Sequence, residues 1–133
     1  MKKTYAGSCH CGAVRFEADF DLADGTFRCN CSICFKSRAW MASAPAGSFR
    51  LLSGQESLRD YQFGPKRIHH VFCTTCGVRP FSHGKDPKGN EFYAVRVNSL
   101  DDVGAQEFAD APVKYFDMKH DNMKSPPPET RHI

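Results

Sequence analysis

The sequence lacks any apolar run approaching the ~18 residues that a membrane span needs, so neither a membrane protein nor a membrane partner is expected. It contains no internal repeat of about 20–50 residues, which excludes a stacked-repeat architecture. Basic residues open the chain in Met1-Lys2-Lys3-Thr4-Tyr5-Ala6-Gly7, but no apolar stretch follows them. That argues against a secretion signal and for a reducing, cytoplasmic location. Helical signals are scarce. A strong excess of one charge is also missing: 18 Lys and Arg face 15 Asp and Glu, a formal charge of +3. Even that excess counts the thiols as neutral. Seven thiolates and two zinc ions would bring the sum to zero, which removes the electrostatic case for a nucleic-acid partner. Local basic pairs such as Lys36/Arg38 and Lys66/Arg67 then read as solvated surface.

What is present is a domain-sized chain of 133 residues with 41% hydrophobic and 25% charged content, enough for one real core. Residues 1–123 read as one domain. Residues 124–133 contain Ser125-Pro126-Pro127-Pro128-Glu129 and read as an extended or disordered tail, because consecutive prolines cannot join a sheet or helix. Elsewhere the pattern is β. Val14, Phe16, Ala18 and Phe20 alternate with Arg15, Glu17 and Asp19, a period of two. Strands are expected at Ser48–Leu52 and Ser57–Phe63 with a turn at Ser53-Gly54, and at Arg67–Phe72, Glu91–Asn98 and Val113–Phe116. In Glu91–Asn98, Tyr93, Val95 and Val97 share one face, and Phe92, Ala94 and Arg96 the other. Ser32–Arg38 and Leu100–Val103 are the candidate helical turns. The expected class is all-β, with metal sites pinning loops to sheets.

The seven cysteines fall into three tight clusters: Cys9-His10-Cys11, Cys29-Asn30-Cys31-Ser32-Ile33-Cys34 and Cys73-Thr74-Thr75-Cys76. Disulfides fit poorly, since the count is odd and a reducing compartment is expected. Thiolates this close together point to soft-metal coordination, zinc first. Cys11 and Cys76 are each followed by glycine, which permits the positive φ of a loop whose amides turn toward a sulfur. Cys9, Cys11, Cys73 and Cys76 are therefore paired as one closed, structural zinc site. Cys29, Cys31 and Cys34 make the second site, which retains an open position unless His69, His70 or His83 fills it. A mixed partition, with Cys29 and Cys31 joining Cys73 and Cys76, would leave three cysteines unexplained. Further candidates are Lys36, Arg38 and Arg67 as anion-binding cations, and Trp40 and Phe35 as pocket walls, against surface or core roles. His10 is expected to point away from the first site, and Asn98 reads as a strand-end turn residue or a site residue.

With those residues in view, the chain resembles the glutathione-dependent formaldehyde-activating enzyme family, which includes centromere protein V-like proteins. The matching segments are Gly-Ser-Cys-His-Cys-Gly-Ala-Val-Arg-Phe at 7–16, Cys-Asn-Cys-Ser-Ile-Cys at 29–34, Phe-Cys-Thr-Thr-Cys-Gly at 72–77 and Val-Asn-Ser-Leu-Asp at 97–101. The resemblance implies a β-tent type fold of small antiparallel sheets. It implies two zinc ions, one structural at Cys9, Cys11, Cys73 and Cys76 and one catalytic at Cys29, Cys31 and Cys34. It also implies a carbon–sulfur lyase working on S-hydroxymethylglutathione or a similar thiol adduct, with a small thiol such as glutathione as partner. Asn30 stands where the family often has histidine. Two other readings stay open: a non-catalytic zinc-binding interaction module of the same fold, and metal-free thiol chemistry at Cys31-Ser32-Ile33-Cys34.

Overall fold

The computed structural model describes residues 2–133. Ten strands and two short helices follow one another as β1 (Lys3–Ser8), β2 (Arg15–Phe20), β3 (Thr26–Cys29), α1 (Ser32–Ser37), β4 (Met41–Pro45), β5 (Phe49–Ser53), β6 (Leu58–Tyr61), β7 (Ile68–Cys73), β8 (Phe81–Lys85), β9 (Glu91–Arg96), α2 (Ala105–Asp110) and β10 (Val113–Phe116). The class is all-β, as the period-two patterning requires. β1, β2 and β5 form a three-stranded sheet, and the other seven strands form a second sheet in the order β10-β3-β4-β9-β8-β7-β6. All pairings are antiparallel except β10 on β3, which is parallel. That pair joins strands far apart in the chain, so no tight hairpin constrains its direction.

The core lies between the sheets. On β2 the alternation buries Phe16, Ala18 and Phe20 and leaves Arg15 exposed. Phe16 packs on Phe49 and Phe81 at ring distances of 5.3 and 5.9 Å. Replacing so central a ring by alanine costs about 3–5 kcal/mol in comparable cores. Cross-strand register puts Val71, Phe81, Val95 and Ala42 on this inner face of the large sheet. The outer face carries His70, Ser82, Ala94, Arg96 and Met41, because directly opposed residues share a face. Against it lies a second, smaller apolar cluster: Ala39, Met41 and Ala94, with Phe27 and Cys34 packed on them.

Three local readings change. The strands expected around Ser53-Gly54 both form, but β5 joins β2 and β6 joins β7, so the turn links two sheets instead of closing a hairpin. Gly54 sits against the Ala13–Val14 backbone, where a Cβ has no room. The helical turn expected at Leu100–Val103 is absent, and a helix forms instead at Ala105–Asp110. Residues 100 and 101 are instead tied to β1: Leu100 bridges Gly7, the Asp101 amide donates to the Ala6 carbonyl, and Ser8 donates to the Asp101 carboxylate at 2.6 Å. Residues 124–133, expected as an extended tail, carry no helix or strand but turn back on the domain. Pro127 and Ile133 are buried, and the His132 ring meets Phe35 edge-on at 5.7 Å. No helix among the described residues is long and apolar enough to cross a membrane.

Candidate metal centres

Cys9 directly follows β1, Cys11 lies further along the β1–β2 loop, Cys73 ends β7, and Cys76 follows in the β7–β8 loop. The two loops are built alike. In each, the first cysteine's N–H donates to the carbonyl of a valine five residues on, Cys9 to Val14 and Cys73 to Val78, both at 3.0 Å. In each, the glycine after the second cysteine has positive φ, 82° at Gly12 and 77° at Gly77. That backbone is the one glycine adopts without strain. It turns amides onto sulfur: the Val14 N–H meets Cys9 Sγ at 3.3 Å. Backbone N–H groups of Cys11 and Val78 pull the Cys76 thiol down to about 6. Those of Cys76 and Thr75 pull Cys73 below its ordinary value.

The four sulfurs lie within 4.8 Å of one another. Cys11 Sγ is 3.6 Å from both Cys9 Sγ and Cys73 Sγ. A tetrahedron with Zn–S of about 2.3 Å has sulfurs about 3.8 Å apart, so the set is sized for such an ion. All seven cysteines are free thiols.

The second cluster has another construction. Cys29 ends β3, Cys31 is the N-cap of α1, and Cys34 lies in the first turn of α1. The Cys31 thiol is lowered first by hydrogen bonds from Cys29 and Cys34, then by the N–H groups of Cys34 and Ile33 in the first turn. Cys34 is pushed up, with the Cys29 and Cys31 sulfurs as the main causes. Three thiols thus compete for one place of negative charge, which a bound cation relieves. Their sulfurs also lie within 4.8 Å of one another, and among the described residues no histidine or carboxylate joins them. Both clusters can hold a metal ion, and an all-thiolate donor set suits zinc.

The glutathione-dependent formaldehyde-activating enzyme family matches residues 4–117, most of the chain and all seven cysteines. The chain belongs to this family. A crystal structure of a Rhodobacter sphaeroides protein is similar in fold and sequence, with a TM-score of 0.69 and 34% identity over 82% of this chain and 99% of that one. In this family member, both cysteine groupings read from the sequence come together in space, and neither exchanges a ligand with the other.

The other candidates divide. His69 and His83 stack on each other at 4.6 Å, and His83 stacks on Tyr93, on the inner face of the large sheet. They are thereby removed from the three-cysteine centre. His69 is instead held by Asp60 at 2.6 Å. Arg67 lies with them, lining a cavity of about 750 Å³ together with Lys66 and Lys85. His70 is on the outer face, but its Nδ1 accepts from Arg79 at 3.0 Å and it lies outside the ligand cluster. Lys36 and Arg38 are exposed, and Arg38 ends α1 in the left-handed region at φ 49°. Trp40 is tied to the core: its indole donates to Thr26 at 2.8 Å and its ring packs on Phe108. Phe35 is 47% exposed and walls a 500 Å³ cleft with Asn30, His120, Pro128 and His132. His10 and Asn98 are exposed.

Sequence reasoning drew nothing from Asn30, and the structure gives it a job. Its amide donates to Asp117 at 2.7 Å, and its carbonyl accepts from the Lys119 N–H at 2.9 Å. Asn30 thereby fixes the loop between two ligands to the segment after β10. Asp117 is held below the usual carboxylate range, first by Asn30 and then by His120.

Proposed function

We propose that this protein is a zinc-dependent carbon–sulfur lyase that joins and separates formaldehyde and a low-molecular-weight thiol such as glutathione. The adduct would be S-hydroxymethylglutathione or a close analogue. The observation that carries the reading is the unfinished donor set at Cys29, Cys31 and Cys34, beside a complete set at Cys9, Cys11, Cys73 and Cys76. The four-cysteine centre is assigned a structural zinc and the three-cysteine centre a catalytic one, giving two per chain. Family membership supports the substrate class.

Bound zinc would favour the ionised form of a thiol at the open side of the three cysteines at neutral pH. The chain's own part is positional. Cys29, Cys31 and Cys34 would cap one side of the ion, with the Cys31 thiol lowered first by Cys29 and Cys34 and then by N–H groups of the first turn of α1. Asn30 and Asp117 hold the loop in place. The reaction itself needs few further groups. The thiol gives its proton to solvent, its sulfur pair forms the C–S bond, the C=O pair moves to oxygen, and that oxygen takes up a proton. The reverse sequence releases formaldehyde.

Exchange-transfer NMR on glutathione and formaldehyde tests this reading. Zinc-loaded protein is expected to speed adduct exchange well above the uncatalysed rate, and Cys34→Ser to abolish the gain without changing the circular dichroism. Full zinc loading with no acceleration would make the domain a zinc-binding module instead.

A further inference from the structure

Two arginines that sequence reasoning passed over stand beside the three-cysteine centre. Arg96 is 5% exposed, yet its Nη1 has no hydrogen-bond partner. Arg79, in the loop before β8, is half-buried and has an unpartnered buried Nε. No carboxylate forms an ion pair with either among the described residues. Burial weakens both cations, and Arg79 further opposes Arg96; for both, Cys34 and Cys31 are the groups that act in their favour. The geometry agrees. Arg96 is the cross-strand partner of Met41 and lies two residues from Ala94 on the same strand. Met41 and Ala94, with Ala39, form the cluster on which Cys34 packs. Arg79 joins this face through His70, whose ring stacks on Phe63 at 5.4 Å. Since guanidinium only donates, His70 Nδ1 must accept, so His70 is neutral and adds no third charge.

Isolated charges in such a place are strongly unfavourable unless opposed. Three thiolates around a dication carry one net negative charge. The two guanidiniums turn that into one net positive charge, and a single further anion makes the ensemble neutral. A neutral fourth ligand would leave the positive charge uncompensated.

We propose that Arg79 and Arg96 make the open side of the three-cysteine centre selective for an anion, and that the anion is the thiolate of the substrate. They are positioning residues that stabilise R–S⁻ after the S–H bond breaks and its proton passes to the buffer. This rests on the open-centre reading above.

The test uses protein loaded with cobalt(II) in place of zinc, with absorption reporting both metal count and ligand binding. The probes are 2-mercaptoethanol, a thiol without a carboxylate, and imidazole, a neutral ligand. Arg96→Met and Arg79→Met are each expected to weaken 2-mercaptoethanol binding by about tenfold or more, the scale of a lost neighbouring charge. Imidazole affinity and cobalt count should stay near wild type, and Arg96→Lys should retain most thiol binding. Unchanged thiol affinity in both methionine variants overturns the proposal. So does an equal loss for imidazole, which marks a merely structural role. Mercaptoacetate, a thiol with a carboxylate, is the control: a loss confined to it would mean that the arginines grip a carboxylate, and would also overturn the proposal. If Arg96→Met fails to fold, Arg79→Met decides alone. Wild-type protein that binds neither probe removes the open-centre reading itself.

Discussion

The four-cysteine centre is assembled from two similarly built loops, each closed by a positive-φ glycine and a cysteine-to-valine backbone bond. The three-cysteine centre is assembled from one strand end and one helix start, with no glycine among its residues. The first joins segments more than sixty residues apart, between β1–β2 and β7–β8, and its Cys9 and Cys73 are part of the main core. The second contributes one sulfur to a small satellite cluster and is tied down from outside by Asn30. On the proposed reading, the first geometry serves the fold and the second leaves a ligand position to be used.

The largest effect that can break this contrast comes from the cysteines themselves. Cys73→Ser is expected to unfold the domain, since structural zinc contributes on the order of 10 kcal/mol of folding free energy in small zinc domains. Cys34→Ser should remove one metal and leave the melting transition intact. Thermal melts followed by circular dichroism, with metal analysis, compare the two. Equal collapse in both variants would erase the division of roles.

Asn30→Ala sharpens the other side. Partners that orient metal ligands are worth about 10–100-fold in metal affinity. Competition with a chelator should therefore show easier loss of one metal and unchanged retention of the second. Gly77→Ala acts in the opposite place. A non-glycine residue at φ 77° costs about 1–2 kcal/mol. Urea unfolding should register that cost with no change in thiol binding.

The Gly77 comparison also marks how much of the molecule was legible beforehand. Cys11-Gly12 and Cys76-Gly77 announce the paired loops because the backbone requirement is local. The alternation from Val14 to Phe20 announces β2 for the same reason. Arg79 and Arg96 announce nothing: they meet only because β7, β8 and β9 are neighbours, and that order is set by tertiary pairing. A hint existed, since Arg96 continues the Phe92-Ala94 face of β9, where a charge has no apolar reason to be. His69 and His70 likewise had to fall on opposite faces of β7. Which face carries α1 depends on the sheet order, so adjacent histidines could not be told apart.

The last expected effect concerns pH. Burial, then Arg79, pushes His70 down from 6.5 to about 4. Its folded value lies below its unfolded one, so the unfolded chain binds the extra proton first. His70 therefore contributes stability that is full above about pH 6.5 and is lost as pH falls toward 4. His70→Gln should flatten the stability profile across that window relative to wild type. Identical slopes would mean that His70 does not sit neutral beside Arg79.

Zinc-edge X-ray absorption on the two-zinc protein tests the contrast most directly. The expected shell without added thiol is seven sulfurs and one light atom shared over two ions, following the two cysteine sets. Adding glutathione should convert it to sulfur only. A spectrum that already shows a complete protein shell at both ions, and does not change with glutathione, would contradict the open three-cysteine centre.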